Sequence, residues 1–162
     1  MKTLFSLFLD ICLFRKGPQD LPDSGFLLAL ALSLDLILST SVGIVGGQGI
    51  DSMIQAGVAT ALLVLFLTAI LYATSHIERL RKTVTAALGC DALITLAALP
   101  ITAVSDLIQG VGFMILIILL WNLVVFAHIL RHALGVGYAL GFALSFLYAI
   151  VSMDLMANFF AI

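Results

Sequence analysis

Charge is what this sequence has least of: Asp, Glu, Lys and Arg make up 10% of its 162 residues, against about 25% in soluble domains. That shortage excludes an ordinary water-soluble fold. Two cysteines, Cys12 and Cys90, are too few and too far apart for a disulfide framework or a metal motif. Both read as small apolar fillers, with acylation of Cys12 beside a membrane as the alternative. There is no His-Glu-x-x-His pair, no phosphate-binding loop and no dinucleotide fingerprint, so no metal, cofactor or catalytic residue is expected. No long basic run is present and the net charge is −2, which argues against a nucleic-acid partner. Nor is there a linker from which a second domain might hang.

What the chain has instead is apolar length: 63% of its residues are hydrophobic and the mean hydropathy is +1.26. At about 20 residues per span there is room for roughly five membrane helices and no soluble catalytic domain. The expected fold is all-α, a polytopic membrane bundle of five transmembrane helices preceded by a short amphipathic interfacial helix. The lipid bilayer is the partner that composition implies.

Residues 1–24 form the segment before the spans. Lys2, Ser6 and Asp10 recur every four residues on an otherwise apolar helix, a narrow polar stripe too short to span. It reads as a helix in the interface ending at Arg15 and Lys16, or as one tucked under the bundle. Asp10 interrupts its apolar run and no small-x-small site precedes Arg15, so it is not expected to be cleaved as a signal peptide. Gly17, Pro18, Asp20, Pro22 and Asp23 then make a turn.

One transmembrane domain is expected over 25–153, with spans at about 25–45, 53–74, 83–104, 107–130 and 133–153, and a short external tail at 154–162. A Gly-rich break at 46–49, the basic loop Ser75 to Lys82, a turn at Ser105 and Asp106, and a loop of Arg131 and His132 separate the spans. Pro100 predicts a kink. With this assignment all seven Lys and Arg (Lys2, Arg15, Lys16, Arg79, Arg81, Lys82 and Arg131) fall on one side, while Asp51, Asp106 and Asp154 fall on the other. The positive-inside rule then predicts a cytoplasmic N-terminus and an external C-terminus, as in a bacterial inner membrane. The same basic groups are expected to contact anionic headgroups.

Charged groups inside a bilayer cost at least about 2.5–3.5 kcal/mol each on insertion scales, so those that occur mark a function or a polar contact. Counting 1.5 Å per residue puts Asp35 roughly 15 Å and Asp91 roughly 12 Å from the basic side. Asn122 reaches a similar depth from the fourth span. The three form a candidate polar layer that binds a proton, a cation or a cationic substrate. The alternative is interhelical glue, each aspartate a neutral acid bonded to a backbone carbonyl, Ser33, Ser39 or Thr95. His128 lies near the basic side as an interfacial group. Gly43 with Gly47, and Gly137 with Gly141, are four apart and are expected to let helices approach closely, within the chain or between copies.

An aspartate pair on two spans resembles the intramembrane aspartyl proteases, but Leu88-Gly89-Cys90-Asp91 lacks the first glycine of their Gly-x-Gly-Asp motif. In topology, and in a loose pattern from Arg81-Lys82-Thr83 to Pro100, the chain resembles the small bacterial relatives of Yip1-type membrane proteins. That family's Asp-Leu-Tyr-Gly-Pro is absent, so no functional residue carries over. The resemblance implies a non-enzymatic organiser, adaptor or subunit acting through helix contacts with itself or another membrane protein. The alternative is a small proton- or cation-coupled transporter component using Asp35 and Asp91.

Overall fold

The computed structural model describes residues 2–49, 51–105 and 110–160, with side chains from residue 5 onward. Asp106, the predicted start of a span at 107, the end of the tail at 161–162 and the side chain of Lys2 lie outside the described residues. A short helix α1 (Lys2–Cys12) precedes five long ones: α2 (Gly25–Val45), α3 (Asp51–Ala73), α4 (Leu80–Ala103), α5 (Val111–Leu134) and α6 (Tyr138–Phe160). The five are long and apolar enough to cross a membrane. The protein is therefore an all-α polytopic bundle in which every span satisfies its own backbone, as lipid demands.

Helix α4 is the hub, touching α1, α2, α3 and α5. Its residues 83–90, Thr-Val-Thr-Ala-Ala-Leu-Gly-Cys, are buried without a break. A helix enclosed all round needs small side chains, and this run supplies them. Thr83 and Thr85 satisfy their hydroxyls by donating to the carbonyls of Arg79 and Arg81, 2.8 and 2.7 Å away. Pro100 sits inside α4, and the helix continues through it to Ala103.

Several boundaries differ from the sequence expectation, each for a local reason. Arg131 and His132 are the last turn of α5 rather than a loop. The helix stops at Gly135, in the left-handed region at φ 69°, and the Val136 N–H closes the cap on the Arg131 carbonyl at 3.2 Å. Cations in a last turn also suit the helix dipole. Arg81 and Lys82 likewise belong to the first turn of α4. The last helix starts at Tyr138 and runs to Phe160, through most of the segment expected as a tail. At the end of α3 the left-handed position is held by Ser75, at φ 58°, with the His76 N–H on the Leu71 carbonyl at 2.8 Å.

Helix α1 is tucked against the bundle rather than resting on lipid alone. Ile11 and Cys12 are buried, and the Phe8 ring occupies the space where Gly89 has no side chain. Cys12, 6% exposed, lies against Cys90. Lys16 pairs with Asp10 at 3.2 Å, folding the chain back after α1, and the buried His128 receives the turn that follows. Its Nε2 lies 3.0 Å from the Lys16 carbonyl; a carbonyl only accepts, so that nitrogen carries the proton. Phe14 meets the His128 ring edge-on at 5.2 Å and the Trp121 ring at 5.3 Å.

Candidate functional site

Asp35 on α2 is 2% exposed. Thr60 Oγ1, on α3, lies 3.0 Å from its Oδ2 and 2.9 Å from the Ala56 carbonyl. A hydroxyl has one hydrogen and a carbonyl cannot donate, so both contacts form together only if the carboxyl donates to Thr60. The geometry thus accommodates Asp35 as a neutral acid. Its other oxygen, Oδ1, is buried and has no hydrogen-bond donor among the described residues, an arrangement that is costly unless a proton, water or ion meets it.

Asp91 on α4 lies close enough to Asp35 for the two carboxyls to interact directly. Its Oδ1 accepts from the Asn122 amide on α5. Asp35, Asp91 and Asn122 all line one cavity of about 80 Å³, with Ser39, Thr60 and Tyr148 completing its polar rim. That volume admits a few waters and is far below the 300 Å³ or so at which organic ligand sites begin. The Tyr148 ring is held by Phe66 and Phe126, each with its centroid 5.0 Å away. Towards the basic end the cavity is walled by Leu63, Ala87, Val125 and Ile129.

On the opposite side the cavity adjoins a groove of about 350 Å³ between α4, α5 and α6. Ile94, Asn122, Phe126 and Tyr148 line both spaces, and Thr95 and Ser152 add polar groups along the groove. Among the described residues no group of three His, Cys, Asp or Glu gathers as a metal site.

The structure brings Asp35, Asp91 and Asn122 together with Ser39 around one cavity, but the two other expected side-chain partners lie elsewhere. Ser33 is exposed and bonds the Leu30 carbonyl at 2.9 Å, and Thr95 lines the groove rather than the cavity. Thr60 is the partner that sequence reasoning passed over. Counting from the basic end of its helix puts it about 20 Å deep by the same rise, near the layer of Asp35, but does not say which way it faces.

The four singled-out glycines divide. A Cβ on Gly43 would stand 2.5 Å from Ser52 Cβ, and one on Gly141 would stand 2.8 Å from the Ala127 carbonyl. Both mark close helix approaches within the chain. Gly47, at φ 86°, and Gly137 have open space around them; Gly47 lies in the turn after α2 and Gly137 directly before α6, and neither packs a helix within the chain. A third close approach, Gly89 with Phe8, lies inside the small-residue run of α4.

The basic residues mostly tie the chain to itself. Arg81 pairs with Asp23 at 3.1 Å, Lys82 donates to the Gln19 carbonyl at 3.3 Å, and Arg79 donates to the Ala133 carbonyl at 3.0 Å. Arg131 stacks on Tyr138, 3.7 Å from the ring centroid. Arg15 is exposed.

No family model, curated protein or solved structure matches the chain.

Proposed function

We propose that the chain is a small membrane carrier component in which Asp35 and Asp91 bind a proton or a bare monovalent cation. The observation that carries this reading is the buried Asp35 Oδ1, without a hydrogen-bond donor among the described residues, on a side chain that lines a water-sized cavity together with a second carboxyl. Two acids this close favour holding one proton between them, since both cannot ionise cheaply in one small site. Asp91 accepts from Asn122, and the Thr60 geometry accommodates Asp35 as the neutral partner. A cation that replaced the proton would find Asp35, Asp91, Ser39, Thr60 and Asn122 as oxygen donors.

With the basic end in the cytoplasm of a bacterial inner membrane, as the charge split argues, the groove leads to the site from outside. The walls on the inner side are closed. Association with a partner has less behind it, because Gly43 and Gly141 are already used within the chain. The Yip1-type likeness rests on topology and adds no residue to the site.

The test is to reconstitute the parent and the Asp35→Asn and Asp91→Asn variants in vesicles and record flux driven by a pH or sodium gradient. Asparagine keeps shape and hydrogen bonding while removing ionisation. Flux in the parent, lost in variants of unchanged thermal stability, is expected. A parent without flux, or stable variants that keep it, would overturn the proposal and return the aspartates to the role of glue.

A further inference from the structure

A second polar cavity, of about 490 Å³, opens at the basic end between the turn after α1, the 3-10 turn Ile77–Arg79 and the end of α5; Gln19, Glu78, Arg79, Lys82, Thr83 and His132 line it. Because α4 begins and α5 ends here, the cavity lies at the depth of the lipid headgroups. Its cations are held in place by the backbone. Arg79 Nη1 donates to the Ala133 carbonyl at 3.0 Å, and Lys82 Nζ to the Gln19 carbonyl at 3.3 Å. Each spends one donor on its own position, while a guanidinium has five and an ammonium three.

The cavity is not simply basic. Glu78 lines it with a 65% exposed side chain, its Oε1 3.9 Å from Arg79 Nε, and the Asp20 carboxylate stands near enough to act on His132. A bare anion meets these two acids, and a bare cation meets Arg79 and Lys82. A ligand carrying a phosphate and an amine a few atoms apart satisfies both signs. No Phe, Tyr or Trp lines the cavity among the described residues, so it lacks the aromatic cage that suits a quaternary ammonium. A primary ammonium, with N–H groups to give to Glu78, is the better match.

We infer that this cavity binds the headgroup of a phosphoethanolamine lipid, with the phosphate on Arg79 and Lys82 and the ammonium on Glu78. The test is native mass spectrometry of the purified protein with equal amounts of phosphatidylethanolamine, phosphatidylcholine and phosphatidylglycerol of identical chains. Glu78→Gln and Lys82→Gln are compared with the parent after their melting temperatures are shown to be unchanged.

The parent is expected to retain the ethanolamine lipid in preference to both others. Glu78→Gln should cut the ethanolamine-to-choline ratio about two- to fivefold, as for an exposed ion pair, and Lys82→Gln should lower retention of all three lipids. Equal retention in the parent, a preference for phosphatidylglycerol, or variants that behave as the parent does would overturn the inference. Soluble O-phosphoethanolamine should displace the lipid better than inorganic phosphate; equal displacement would make this a general anion site and overturn it as well.

Discussion

The two halves of α5 make opposite use of the same apolar chemistry. Residues 112–121, rich in Leu and Ile, are almost all exposed, whereas 122–134, which carry Asn122, His128, Arg131 and His132, are mostly buried. In water the oilier half would be inside. In lipid, hydrophobicity gives no reason to prefer a protein neighbour over an acyl chain, so small residues and polar contacts decide what is enclosed. The enclosed half of α5 is where α1, the midsection of α4 and the start of α6 converge, and the cavity of Asp35 and Asp91 sits at its edge.

The comparison breaks most visibly if a side chain is shortened in each half. Ile129→Ala, at a residue 1% exposed, is expected to cost about 2–3 kcal/mol, while Ile117→Ala, at one 50% exposed, should change stability by less than about 0.5 kcal/mol. Equilibrium unfolding in mixed micelles reads both, and equal costs would refute the contrast. Adding a methyl should invert the experiment. Gly141→Ala pushes against the Ala127 backbone carbonyl and should cost about 1–3 kcal/mol. Gly112→Ala enters open space and should be neutral or stabilising by a few tenths, about what helix propensity provides near a terminus.

Smaller effects sharpen the picture at the basic end. Ser75→Gly relieves a left-handed residue and should stabilise by about 0.5–1 kcal/mol, raising the melting temperature. Arg81→Ala removes an exposed pair with Asp23 and should cost about 0.5 kcal/mol or less, with the difference fading in high salt. A large loss there would mean that the ion pair, rather than the apolar face of Ile11 and Leu21, holds the N-terminal segment down.

The spans were legible because a long apolar run has one structural solution in lipid. The common depth of Asp35, Asp91 and Asn122 was legible because helix rise is constant. Partners across helices were not. Thr60 lies on a span whose own composition marks no face, so nothing along the chain says that it turns towards Asp35. Four-residue glycine spacing does not separate Gly43 and Gly141, which sit at helix crossings within the chain, from Gly47 and Gly137, which lie outside the helices. Arg131 and His132 lie in the last turn of α5 although their charge points to a loop, because the stop signal is Gly135. The tucked α1 was legible only as one of two choices, since its complementary surface, Gly89 and its neighbours, lies some eighty residues away in sequence.

That separation has a consequence for assembly. Helix α1 leaves the ribosome before the surface it docks on, which is built from α4 and α5, the third and fourth of the five spans. Its proper seat, with Phe8 on Gly89 and the Lys16 carbonyl on His128, does not exist until α5 has entered the bilayer. This segment, made before the spans that seat it, therefore finds its place only after them, and until then its exposed row of Phe5, Leu9 and Leu13 has only the membrane surface to hold it.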